Sequence, residues 1–245
     1  MTRLATQTSA VPTAPSPQAS AAPAPRLRPS AIRVLLVDDH PLMRQGMKTL
    51  IEQELHFEVC GEADNAPRAL ELAAKLTPDL AIVDITLKST NGIELTKDLR
   101  MRVPEMPILI VSMHEEDVYA ERVLRAGAMG YLMKLEAPDK IADAIQAVMR
   151  GEIYLSDRLK EKMLHQLVHQ RGPTPVSPIE KLSDREIEVF RLIGIGYGTR
   201  EIAGLLNLSV KTIDSYRENL KTKLGLPTGG DLVRHAIQWM KSQAT

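Results

Sequence analysis

From residue 31 onward, short apolar runs alternate with longer stretches in which apolar positions recur every three or four residues. The runs occupy 32–37, 57–60, 80–83, 108–111 and 130–133, and the intervening stretches 41–54, 66–76, 92–102, 116–126 and 138–150 carry the helical period. A run that is apolar at every position, not at alternate ones, suits a strand buried on both faces, and strands alternating with helices give a parallel sheet covered on both sides. The pattern predicts a doubly wound α/β fold with a five-stranded parallel sheet, in which polar chemistry appears at the carboxyl edge.

The rhythm stops after Leu155. A further helix is expected over 156–170, and Pro173, Pro175 and Pro178 make the following stretch a semi-rigid spacer. Residues 179–245 carry no strand pattern and predict four helices, at 184–195, 199–206, 209–224 and 230–242. Ser183 with Glu186 forms a capping-box pattern, Ser209 suits an N-cap, and Gly194, Gly196 and Gly198 are expected to break the chain between the first two helices. The resulting boundaries are a tail at 1–30, an α/β domain at 31–155, a helix and linker at 156–178, and an all-α domain at 179–245.

The tail is built mainly of Ala, Pro, Ser and Thr without an acidic residue, a composition that cannot bury enough apolar surface to offset ordering entropy. It also resembles an organelle transit peptide, but its six prolines spoil the amphipathic helix that such a peptide needs. No stretch is apolar for long enough to span a membrane, and a cytoplasmic protein is expected. Cys60 has no second cysteine to pair with and is expected as a buried strand residue. The formal net charge is zero, yet residues 31–155 sum to −7 while the tail carries +3 and residues 178–245 carry +2.

Part of that negative charge falls at strand ends. Asp38 and Asp39 follow the first run, Asp84 the third, Ser112 the fourth, and Lys134 the fifth. Carboxylates crowded together raise one another's pKa unless a cation sits among them, and an oxygen-only site with few carboxylates suits Mg²⁺. The chemistry indicated is an acyl-phosphate site. Asp84 would be the nucleophile, Mg²⁺ and Lys134 would neutralise the transferred group, and Ser112 would hydrogen-bond it. A phosphohydrolase of the haloacid-dehalogenase kind would need a second Asp two positions after the nucleophile. Thr86 stands there, which favours a switch over a turnover enzyme.

In order and spacing, these residues resemble the receiver domain of two-component response regulators. The resemblance extends to Gly92 after the acceptor loop and Tyr131 at the aromatic switch position. It implies Mg²⁺ held by Asp39, Asp84 and the backbone carbonyl of Thr86, with Asp38 acting through water, and a sensor histidine kinase as phosphoryl donor. One departure is Lys88, where the family usually has proline.

Residues 199–206 and the helix from Ser209 read as a helix-turn-helix. Lys211, Thr212, Ser215, Arg217, Lys221 and Lys223 give the second helix groups suited to phosphates and base edges. The run from Leu182 to Ala203, then 208–213 and 223–226, resembles the LuxR-type DNA-binding domain, and with the receiver it is similar to the NarL/FixJ class. That resemblance implies a helix in the major groove of double-stranded DNA, with Asp214, Ser215 and Glu218 toward base edges and Lys211, Arg217 and Lys221 toward phosphates. It also implies a homodimer on DNA or when phosphorylated, with Leu232, Val233, Ile237 and Trp239 of the last helix at its interface. The expectation is a phosphorylation-controlled transcription factor whose resting form holds residues 209–223 off DNA. A phosphorylation-gated adaptor that docks a protein, kept open by the acidic Asp214 and Glu218, is the alternative.

Overall fold

A computed structural model describes residues 31–87, 90–169 and 178–243. The expectations for the tail, for Lys88 and for most of the proline-rich spacer lie outside the described residues. Five parallel strands, β1 (Ile32–Val37), β2 (Phe57–Ala63), β3 (Leu80–Val83), β6 (Ile108–Ser112) and β7 (Gly130–Met133), form one sheet in the order β2-β1-β3-β6-β7. A two-residue antiparallel pair, β4 (Thr86–Leu87) with β5 (Thr90–Asn91), follows β3. Helices α1 (Pro41–Glu52), α2 (Ala66–Leu76), α3 (Gly92–Arg102), α4 (Glu116–Arg125) and α5 (Ala137–Met149) connect the strands.

Successive side chains of a strand point to opposite faces, and the core divides accordingly. Val34, Leu36, Ile82 and Leu109 meet Met47 and Ile51 of α1 and Ile141 and Ile145 of α5. Leu35, Val37, Val83 and Ile110 belong to the layer that includes Leu72 of α2, Leu99 of α3 and Val123 of α4. After α5 the chain turns back along β7. The Tyr131 N–H donates to the Tyr154 carbonyl at 2.8 Å, and the Tyr154 N–H donates to Met129 at 3.0 Å. Cys60 is half-buried, because β2 is a terminal strand of the sheet, and its thiol reaches the Val34 carbonyl at 3.5 Å.

Helix α6 (Asp157–His169) starts beside α4. Glu116 accepts from the Ser156 backbone and hydroxyl, while Asp117 pairs with Arg158 and with Lys162 at 3.3 Å. Beyond the spacer lie α7 (Asp184–Ile195), α8 (Thr199–Leu205), α9 (Val210–Leu224) and α10 (Gly229–Gln243). The Ser183–Glu186 capping box is formed in both directions. Gly194 does not break the chain. It is helical, and a Cβ there would come within 2.7 Å of the Ala236 carbonyl oxygen, so its role is close packing of α10 on α7. The break falls at Gly196 and Gly198, the first left-handed at φ +111° and the second the N-cap of α8. Among the described residues, no helix is long and apolar enough to cross a membrane.

Candidate functional site

The strand order reverses between β1 and β3, opening a crevice at the carboxyl edge of the sheet. The strands deliver Asp38, Asp39, Asp84 and Ser112 to it, and Lys134 enters from the turn after β7. The Asp84 carboxylate is 4% exposed; one oxygen accepts from the Ser112 hydroxyl at 2.7 Å and the other meets the Lys134 ammonium at 2.6 Å. The same ammonium lies 2.6 Å from Asp38, whose other oxygen accepts the His40 N–H at 2.8 Å. Burial pushes the Asp84 pKa up despite Lys134 and Ser112. Burial also opposes the Lys134 charge, but Asp84 and Asp38 prevail and raise its pKa.

Donor atoms of Asp38, Asp39, His40 and Asp84 all lie within 4.8 Å of one another. Three carboxylates against one ammonium leave the pocket short of positive charge, and the carboxylate oxygens are hard donors. The residues therefore fit a magnesium ion.

A second ring of contacts surrounds this pocket. Gly92 sits so close to the acceptor loop that a Cβ would lie 1.9 Å from the Asp84 carbonyl oxygen. The Thr86 hydroxyl lies 3.0 Å from Nε2 of the buried His114, whose ring stacks on Tyr119 at 4.8 Å. Burial pushes the His114 pKa down to about 3, helped by Arg191 and Lys134, so the imidazole is neutral at physiological pH. Tyr131 is turned inward, 1% exposed, and its hydroxyl donates to the His114 carbonyl at 2.8 Å.

On the helical side, α8 and α9 are joined through Asn207 at φ +53°, a left-handed position that Asn tolerates. The Ser209 hydroxyl caps α9 by accepting from the Thr212 N–H at 3.0 Å, while Ile213 and Leu220 anchor the helix inward. Lys211, Asp214, Ser215 and Glu218 are exposed, and Thr212 and Arg217 are half-buried. Lys221 pairs with Glu218 at 2.9 Å. Lys223, exposed near the end of α9, pairs with Glu186 at 2.6 Å, tying α9 to the cap of α7. One expectation needs correction. Leu232 is fully buried in the domain's own core and is not available to an interface, whereas Val233 and Trp239, the latter packed on Phe190 at 5.4 Å, are half-buried and Ile237 is 37% exposed. The outward residues of α9 are open to solvent with the receiver in place.

The family of response regulator receiver domains matches residues 34–146, and the luxR family of bacterial regulatory proteins matches residues 180–236. The transcriptional regulatory protein DegU of Brevibacillus brevis is 31% identical to the chain, covering 86% of it and 95% of DegU. The chain is a LuxR-type response regulator. Its other relatives include the transcriptional regulatory protein LiaR of Bacillus subtilis, 35% identical over 79% of this regulator and 90% of LiaR. A solved structure of RcsB from Salmonella enterica serovar Typhimurium, bound to a promoter in the presence of a phosphomimetic, matches it with a TM-score of 0.56. The identity there is 27%, over 84% of the regulator and 98% of RcsB.

The geometry adds residues that the sequence reading of this response regulator missed. His40 joins the donor cluster, a position its place directly after the acidic pair could have suggested. His114 carried no local signal, because its partners Thr86 and Tyr131 are 28 and 17 residues away.

Proposed function

We propose that this regulator accepts a phosphoryl group on Asp84 and then acts on promoter DNA through α9. The observation that carries the reading is the Asp84 carboxylate itself, buried and held between the Ser112 hydroxyl and the Lys134 ammonium. An Asp84 oxygen attacks the phosphorus of a phosphohistidine on a sensor histidine kinase. The P–N bond breaks and its electron pair stays on the imidazole nitrogen. Lys134 faces the charge that gathers on the transferred group, and Ser112 turns its O–H from the carboxylate to a phosphoryl oxygen. Magnesium, held by Asp39, Asp84 and the Thr86 carbonyl with Asp38 through water, supplies further positive charge when bound. Tyr131 fills the space beside Ser112. Thr86 stands two positions after Asp84, where a phosphohydrolase of the haloacid-dehalogenase kind would carry its general acid, which supports a regulator over a turnover enzyme.

We place the receiver at 31–155, the helix and linker at 156–178 and the effector at 179–245. A dimer on DNA is in keeping with the solved structure of two RcsB dimers bound to two parallel DNAs, and we place the regulator's action in the cytoplasm. Lys211, Arg217 and Lys221 would hold phosphates, and Thr212, Asp214, Ser215 and Glu218 would face the groove.

The test is phosphorylation by acetyl phosphate with Mg²⁺, read by intact mass, with a footprint on the regulator's own upstream DNA. The wild type should gain one phosphoryl group and Asp84→Asn none. A phosphoryl signal kept in Asp84→Asn would overturn the site. A phosphorylated protein that leaves no footprint but retains a protein partner would point to the adaptor.

A further inference from the structure

Ile213 and Leu220 are the buried positions of α9, and the stripe opposite them runs through Lys211, Asp214, Ser215, Glu218 and Thr222, all exposed. Its hydrogen-bonding capacity is unequal along its length. The Ser215 hydroxyl donates to the Lys211 carbonyl and the Thr222 hydroxyl to the Glu218 carbonyl, each at 3.0 Å, so both protons are spent on the backbone and both oxygens are left as acceptors. Asp214 and Glu218 are carboxylates and can only accept. Lys221 engages one Glu218 oxygen at 2.9 Å and leaves the other to accept. The cations stand at the two ends, Lys211 in the first turn and Lys221 and Lys223 in the last, while Arg217 is half-buried to one side. The outward face from Asp214 to Glu218 therefore offers a duplex acceptors without a donor.

We infer that this face selects cytosine: each half-site carries cytosines whose N4 amino groups meet Asp214 and Glu218. The inference rests on the proposed entry of α9 into the major groove and adds the base that it prefers there. In that groove guanine presents two acceptors and thymine an acceptor beside a methyl group, which a carboxylate repels or leaves without a partner. Adenine presents a donor beside the N7 acceptor, and cytosine a donor alone. An acceptor-only face is therefore matched best by cytosine. Asp214 and Glu218 are four residues apart, about 6 Å along the helix, so the two cytosines fall within about two base-pair steps of one another. The same carboxylates are repelled by the phosphates of every sequence, and a duplex without those amino groups bears the repulsion with no compensating hydrogen bond. Acidity on α9 thus raises selectivity while lowering general affinity, which the cations at both ends of the helix restore.

The experiment selects duplexes from a randomised pool with the full chain, phosphorylated by acetyl phosphate and Mg²⁺. Affinity is then measured for the best duplex and for versions with one C·G pair inverted to G·C. In the wild type, inversion at each of two positions should weaken binding by about fivefold or more. Glu218→Gln should move the preference at one of them from cytosine to adenine, which an amide engages at N6 and N7, and leave the penalty at the other unchanged. Asp214→Asn should do the same at the second position. Both variants exchange an exposed carboxylate for an amide of the same shape, and selection by the wild type alone tests the preference should either fold poorly. Selected duplexes without cytosine at two such positions, or a cytosine preference that both variants keep, overturn the inference while leaving α9 as the DNA-binding element. A phosphorylated wild type that selects no duplex overturns the DNA-binding reading itself.

Discussion

Single atoms decide several positions in the pocket. Gly92 must lack a Cβ because the Asp84 carbonyl stands where that atom would be, 1.9 Å away. Gly92→Ala should cost about 1–3 kcal/mol, visible as a lower melting temperature, and should slow phosphorylation by acetyl phosphate because relief has to come from the acceptor loop. Tyr131→Phe removes the donor to the buried His114 carbonyl and should cost about 1 kcal/mol or more in denaturant unfolding. On α9, Glu218 holds the ammonium of Lys221. Glu218→Gln should therefore tighten binding to unrelated DNA sequences several-fold at low salt, as titration of a non-cognate duplex would report. Unchanged non-specific affinity would mean that Lys221 does not face the backbone.

At the scale of elements, the helix ends and crossings of the effector are set by few contacts. Burial opposes the charge on Glu186, but Lys223 and the Ser183 backbone and hydroxyl outweigh it and hold its carboxyl below the usual range. A depressed carboxyl stabilises the fold above the ordinary glutamate value near 4.5, and that stability is lost as pH falls through the lowered value. The acid side of a melting-temperature profile should show this loss in the wild type and lack it in Glu186→Gln. Gly194→Ala pushes α10 off α7 and should destabilise the effector by about 1–3 kcal/mol. Most elements were legible because their periodicity is long and unbroken: α2, α3 and α7 run over the predicted residues. The hairpin β4–β5 was not, since two-residue strands have no period to detect. Gly194 was misread because a helix crossing and a helix break both call for glycine, and only the position of Ala236 distinguishes them.

For the molecule as a whole, the strand-end carboxylates, Ser112 and Lys134 could be gathered from the sequence because a parallel sheet sends every strand's end to one edge. The expectation that the resting form holds residues 209–223 off DNA could not be checked that way, because the effector's contact with the receiver includes Arg122 reaching carbonyls 57 and 60 residues away. With α9 uncovered, phosphate contacts should be measurable in the unphosphorylated chain. Lys211→Ala should lower the salt slope of DNA binding by about one with or without phosphorylation, and a loss confined to the phosphorylated form would show that α9 is blocked at rest.

The strand-like return of the chain at Tyr154 has a consequence for handling the protein. β7 ends the sheet, and the row of backbone groups along it would be a template for a foreign strand were Tyr154 not paired there. A chain cut after Arg150 should keep the pocket residues yet self-associate through the bared margin. One that runs to Leu155 should stay dispersed, and light scattering of the two would tell them apart.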